Sequence, residues 1–269
     1  MASFSVVSNL ASANAQAHLQ NTNINLNKAL TRLSSGFRIN NAGDDAAGLA
    51  VANTYRNQQA ILTQGVRNAN DAMSKLQIKD GALNNIATLL DRLATLATQA
   101  GSPSNGVDIS KLSDEYAQVV TEITREATVG EVATASASFS VFVSSETAAG
   151  DGAVTGTINS ATATGLGLST TSFSTAAAAQ AALTQVKNAI DSLGDIQNTI
   201  GTLQNKLSFA INLSQTHNVN TKAAESRIRD ANIAEESANM TRFNILSQSG
   251  IAALAQANQT SSSVLSLLK

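Results

Sequence analysis

Leu33 to Asn53, LSSGFRINNAGDDAAGLAVAN, decides how the chain is organised. It begins on an apolar helical turn (Leu26, Leu30, Leu33) and then breaks, because Ser34, Ser35 and Gly36 supply turn chemistry. Asn40-Asn41-Ala42-Gly43 supplies a second loop signal. Asp44 and Asp45 follow, placed to cap a new helix whose first turn favours negative charge. The small residues Ala46, Ala47, Gly48, Ala50 and Ala52 then allow another segment to approach the new helix closely. One helix ends here and a longer one begins.

Working outward, residues 1–33 form a polar amphipathic segment carrying Phe4, Val7, Leu10, Ala17, Ile24, Leu26, Leu30 and Leu33. Its many asparagines are mediocre helix formers, so alone it is a marginal helix that needs neighbours. From Asp44 to Ala100 the helical period is sustained: Ala69, Met73, Leu76, Leu83, Ile86, Leu90, Leu93 and Ala97 step by three and four, with a wider gap at Asp80, the seam of a coiled-coil-like bundle. Such a helix would be roughly 85 Å long. Gly101-Ser102-Pro103-Ser104-Asn105-Gly106 ends it, and Leu112 to Ala127 reads as a second, antiparallel helix.

Residues 128–174 change character, with Ser, Thr, Gly and Ala dominant. Phe139, Val141 and Val143 alternate with polar neighbours, and Val154 to Ile158 is a candidate partner strand across Ala149 to Gly152. The expectation is a small β-rich tip contributing little apolar area. Helical spacing returns at Ala176 through Leu183, Val186, Ile190, Leu193, Ile196, Ile200, Leu203 and Leu207, and runs on into Glu225 to Asp230. The last forty residues form a thin amphipathic helix ending Val264, Leu265, Leu267, Leu268. The fold expected is mainly α: a long antiparallel helical bundle, a coiled-coil-like rod with a small β-rich tip, both chain ends at one pole.

Composition narrows the function classes. The 17 basic and 19 acidic residues give a net charge of −2 without a basic block, which argues against nucleic acid as a partner. Hydrophobic residues make up 43%, yet aromatics only 3%, so thin Leu/Ile/Ala stripes replace a thick core. The single proline, Pro103, where average usage predicts about 13, permits long helices. Without cysteine, neither disulfides nor thiolate metal sites are available. No apolar run approaches the ~18 residues of a membrane span, and the N-terminal stretch has neither the basic nor the apolar region of a secretory signal.

Catalytic constellations are poor. His18 and His217 are isolated in Asn/Gln-rich segments, better read as surface histidines, and no phosphate-binding glycine loop followed by Lys-Ser/Thr occurs. Asp44-Asp45 point apart at a helix start and have no third ligand nearby, so capping and interface pairing fits better than metal or acid/base work. No enzyme, metal site or cofactor is expected. Glu225, Arg227, Arg229, Asp230, Glu235, Glu236 and Arg242 form the densest charge cluster, which in an isolated chain reads as a solvated helix face.

Three stretches together resemble bacterial flagellin, the subunit of the motility filament. Arg32 to Gly36, Arg38 to Asn40, Ala42 and Asp44 to Asn53 fit the family's run RLSSGxRINxAxDDAAGLAxAN. Glu225 to Asn239, ESRIRDANIAEESAN, and Leu254 to Lys269, LAQANQTSSSVLSLLK, resemble its terminal pattern. The resemblance covers roughly the first 125 and last 90 residues. It implies self-assembly into the flagellar filament, with a hook–filament junction protein as the alternative, and export through the flagellum's own type III channel to an extracellular site. It also implies an inner terminal-helix domain from residues 1–40 and 229–269, and an outer helical domain from 41–228. Polymerisation contacts are expected at Arg32, Arg38, Asn40, Asp44, Asp45, Arg227, Arg229, Asp230, Glu235 and Glu236. The last helix, with Val264, Leu265, Leu267 and Leu268, is expected to assist assembly. The partners implied are further copies of the chain, hook-associated and cap proteins and an export chaperone. A vertebrate flagellin-sensing Toll-like receptor is a further one, with Arg92, Leu96 and Glu122 on the positions it reads, although Ala94 and Thr95 stand where the family pattern has charges.

Overall fold

The computed structural model describes residues 9–102, 108–134, 137–144, 152–169 and 172–266, without the side chains of 261–266. Phe4, Val7, Pro103, most of the expected hairpin turn, Leu267 and Leu268 lie outside the described residues. The elements are α1 (Leu10–Ser35), α2 (Ala46–Ala100), α3 (Ile109–Val129), β1 (Ala137–Phe142), β2 (Ala153–Ile158), α4 (Ala176–Arg229) and α5 (Ile233–Ser266). They cluster into two compact units, one of Met1–Asn57 with Thr221–Lys269 and one of Gln58–Asn220.

In the first unit α1 and α5 run antiparallel. Asn9 Nδ2 donates to Ala257 O (2.9 Å), Ser247 Oγ to Asn23 Oδ1 (3.2 Å), and Gly250 lies against Leu19. The half-buried positions of α1 step 12, 15, 19, 22, 26, 29, 33, and those of α5 step 236, 240, 243, 247, 250, 254, 257. Both are three-four alternations, the spacing of a two-helix seam. Leu19 and Leu26 belong to it, but only Ala29 of α1 is fully buried. Leu10, Ala17 and Ile24 were expected on the packed stripe, and they lie elsewhere. At 100° per residue they fall on the face opposite the seam, and Ile24 is 47% exposed.

The second unit has the larger core. Leu76, Leu83, Ile86, Leu90 and Leu93 of α2 pack with Tyr116, Val120 and Ile123 of α3 and with Val186, Leu193, Ile196, Ile200, Leu203 and Leu207 of α4. α2 and α4 are antiparallel, as Asn218 Nδ2 donates to Thr63 Oγ1 (3.2 Å) and Gln197 Nε2 to Asn84 Oδ1 (3.3 Å). Ile190 departs from the expected stripe: it is 39% exposed, and Ala182 and Ala189 occupy the buried positions beside Val186. Met73 is half-buried while Ala72 is buried. Alanine at these places lets the helices approach more closely than an Ile or Met would.

β1 and β2 pair antiparallel with Phe139 opposite Gly156 and Val141 opposite Val154. This small sheet lies on the helices. Asn68 Nδ2 of α2 donates to Phe142 O (3.4 Å), and a Cβ at Gly65 would stand 2.0 Å from Val143 O. On the α4 side, a Cβ at Gly156 would meet Leu203 at 2.7 Å. Val132, Val143, Ile158, Ala161, Leu166, Leu168 and Phe173 are all buried, so the expectation of little apolar area is corrected. Phe139, Val141 and Val143 alternate onto the side of the sheet that meets the helices, while Phe173, beyond the strands, packs on Tyr116 of α3.

α3 ends in a Schellman turn: Val132 N donates to Ala127 O (2.8 Å) and Glu131 N to Thr128 O (3.2 Å). The left-handed residue of such a turn is usually glycine. Here it is Glu131 (φ 56°), while Gly130 beside it has φ −76°. Gly130 is required for another reason, since a Cβ there would meet Ala82 Cβ at 2.2 Å.

Candidate assembly site at the helix junction

α1 stops where Gly36 turns left-handed (φ 74°) and its N–H reaches Arg32 O at 2.9 Å. The chain then runs beside the end of α4. Arg38 N donates to Arg229 O (2.7 Å), Ala231 N to Gly36 O (2.9 Å), and Phe37 bridges to Asp230. Arg38 Nη2 adds a bond to Ile228 O (2.7 Å). The segment after α1 and the end of α4 are therefore stitched by main-chain pairing, and Ile39, 1% exposed, is buried.

The two aspartates have different tasks. Asp45 caps α2, its Oδ1 accepting from Gly48 N (2.8 Å). Gly48 is glycine because a Cβ would meet Asp45 Oδ2 at 2.4 Å and Ile39 at 2.8 Å. Asp44 closes the loop before it, its Oδ2 accepting from Asn40 N (3.2 Å) and Asn41 N (3.1 Å). Those two N–H groups, with Arg32 nearby, hold its carboxyl below the usual carboxylate range.

Arg32 lies between two carboxylates, Glu236 at 3.2 Å and Asp44 at 3.9 Å. Arg229 is packed similarly. Its guanidinium carbon sits 4.2 Å from the Phe37 ring centroid, with Glu225 at 3.7 Å and Ile39 O at 3.4 Å from its nitrogens. Glu225, Arg229 and Glu236 are thereby largely removed from water within the chain itself, whereas Arg227, Asp230, Glu235 and Arg242 are exposed, so the expectation of a solvated charge face is corrected only at the first three. The reason is that α1, the loop and the end of α4 converge on one spot. Asn40 Nδ2 bonds Ser35 Oγ (2.9 Å), Asp230 pairs with Ser226 Oγ, and Arg227 and Glu235 are exposed.

Sequence reasoning missed Phe37 and Asn232. Asn232 Oδ1 accepts from Ala234 N (3.2 Å) and Glu235 N, capping α5. The signal was available, because Asn232-x-x-Glu235 has the spacing of a capping box. Phe37 carried no periodic signal, and its role arises only when α4 brings Arg229 over the ring.

The receptor-reading trio does not form a common surface. Leu96 is 1% exposed, locked in the core between α2 and its neighbours, so it is a packing residue. Arg92 is exposed and bonds Glu115, and Glu122 bonds Arg125 (2.8 Å). Val264 and Leu265 lie within α5. Among the described residues no helix is long and apolar enough to cross a membrane.

The fold and junction define a helical structural protein whose α1 and α5 pack together and leave apolar positions uncovered. The model of the bacterial flagellin N-terminal helical region matches residues 6–131, and that of the C-terminal helical region matches 183–268. The chain is 36% identical to a flagellin of Halalkalibacterium halodurans over 97% of its own length and 98% of the relative's. It is 34% identical to the flagellar filament 33 kDa core protein of Treponema phagedenis, with the same coverage. A crystal structure of Bacillus cereus flagellin aligns with a TM-score of 0.47 at 29% identity, over 55% of this chain and 88% of that one. The chain belongs to the bacterial flagellin family. It is a structural subunit of the flagellar filament, and the junction-protein alternative is not favoured.

Proposed function

We propose that the subunit polymerises through the first unit, using the apolar positions that α1 and α5 leave uncovered, with the Arg32–Asp44–Glu236 junction setting the geometry of that contact. The observation that carries this reading is the exposure of apolar side chains on both helices, Leu10 and Ile24 on α1 and Ile245 and Ile251 on α5. Apolar side chains left on a thin helix pair gain about 25 cal/mol for each Å² that a neighbouring copy covers. Residues 1–40 with 229–269 form the inner layer of the filament, and 41–228 the outer layer. The Val264, Leu265, Leu267 and Leu268 stretch extends the inner contact. Arg38, Asn40, Asp45, Arg227, Arg229, Asp230 and Glu235 fix how α1, α2 and α5 leave the junction, and so how one copy meets the next. Hook-associated proteins, a cap protein and an export chaperone are the further partners, and the chain is secreted through the flagellar type III channel.

The test is assembly of purified subunits followed by sedimentation over a concentration series and negative-stain microscopy. Wild type gives long filaments. Ile24→Glu and Ile245→Glu replace exposed side chains, so the monomer's melt stays within about 0.5 kcal/mol of wild type. The critical concentration rises at least tenfold. Filaments forming at the wild-type critical concentration in both variants would remove α1 and α5 from the contact.

A further inference from the structure

The turn that ends α3 holds a conflict between two glycine requirements. Gly130 is consumed by the approach of Ala82, so the left-handed position falls on Glu131. A non-glycine residue is strained there, because its Cβ crowds the backbone in the left-handed conformation. α2 supplies what opposes the strain. Lys79 Nζ donates to the Glu131 carbonyl oxygen and stands 3.8 Å from its carboxylate. The Lys79 side chain is only 14% exposed, whereas that of Glu131 is 74% exposed. Burial pulls the Lys79 ammonium below the usual lysine pKa, ahead of the opposing pull of Glu131, and Lys75 adds to the lowering. A lysine at this place is thus costly, and its ammonium is directed at the strained residue.

We propose that Lys79 and Glu131 form a latch that holds the α3–β1 turn shut against α2, giving the chain that follows a packed state and a released state selected by this contact. The next residue transmits the choice. Val132 is buried, and its carbonyl accepts from Ala161 N (2.8 Å), while Ala133 O accepts from Ser160 Oγ (2.8 Å). When Glu131 leaves the left-handed region, the Schellman bonds of Glu131 and Val132 break together. Val132 then withdraws and the loop after β2 loses both anchors. The carbonyl bond carries the latch, because the carboxylate is exposed and such pairs contribute little.

Amide hydrogen exchange on the full-length monomer tests this. Lys79→Met keeps the stem and removes the donor. Exchange at Val132, in β1 and β2, and at Ala161 rises about tenfold, while Leu90 and Ile200 in the helical core stay within about twofold. Glu131→Gly alone slows exchange at the same amides, since glycine adopts the left-handed position without strain. Glycine keeps the carbonyl acceptor, so in the Glu131→Gly background Lys79→Met accelerates exchange by about the same factor as in wild type. Unchanged exchange in Lys79→Met, faster exchange in Glu131→Gly, or loss of the Lys79→Met acceleration in the Glu131→Gly background would each overturn the latch.

Discussion

Arg32→Ala probes the junction most directly. The guanidinium, 30% exposed, serves Glu236 at 3.2 Å and Asp44 at 3.9 Å, whose side chains are 12% and 16% exposed. Fully exposed pairs contribute about 0–1 kcal/mol, and stranding a buried charge costs roughly 3–5 kcal/mol. The Glu236 contact lies nearer the buried limit. Its position in the first turn of α5 returns part of the loss, since a helix N-terminus favours negative charge by about 0.3–1 kcal/mol. Asp44 keeps its two backbone N–H donors and loses little. The net expected cost is about 2 kcal/mol, close to thirtyfold in the opening equilibrium of the junction. Exchange at Ile39, Ala231 and Glu236 should accelerate by that factor, with Leu90 and Ile200 unmoved. Arg32→Lys, which cannot span both carboxylates, should fall about midway. A change below threefold in Arg32→Ala would mean that main-chain pairing alone holds the junction.

Three further perturbations follow from single contacts. Tyr116 is buried with its hydroxyl unpartnered among the described residues, and burial pushes its pKa up to about 12. Tyr116→Phe keeps the edge-to-face contact with Phe173 (5.2 Å) and should leave stability unchanged or raise it by up to about 2 kcal/mol in urea unfolding; a loss above 1 kcal/mol would reveal a partner for the hydroxyl. Gly65→Ala places a methyl 2.0 Å from Val143 O and should cost about 3 kcal/mol as the sheet lifts from α2, seen as selective proteolysis near Val143; wild-type resistance would contradict that packing. For Asp44, the folded pKa lies below the unfolded one, so its stabilisation is present above about pH 4 and is lost as pH falls through the folded value. Melts from pH 5 to 2 should show a fall that Asp44→Asn reduces, and parallel curves would exclude Asp44 as a source.

Much of the fold was legible because long helices advertise themselves by period. Leu76, Leu83, Ile86, Leu90 and Leu93 define one face of α2 whatever packs there, and Asp45, Gly48 and Asn232 are local signals that work within a turn of themselves. The junction's composition was equally readable, since Arg32, Asp44, Asp45, Arg229 and Glu236 stand in recognisable runs. Their burial was not. The Glu225 pairing follows from i,i+4 spacing within α4, but whether Arg229 is solvated also depends on Phe37 arriving from the loop after α1, which spacing along one helix does not encode.

The sequence by itself determined the helices, the break at Leu33 to Asp45, the two strands and the chemistry assembled at the junction. Tertiary structure decided which of two apolar faces of α1 meets α5, and why Ala189 rather than Ile190 is buried. It placed Leu96 in the core and laid the small sheet against α2 and α4. Period gives an angle around one helix axis, whereas burial depends on the distance to the next element. Gly130 and Glu131 show the difference within two residues. By local rule the glycine takes the left-handed position, yet the approach of Ala82 claims it for space and passes the strain to its neighbour.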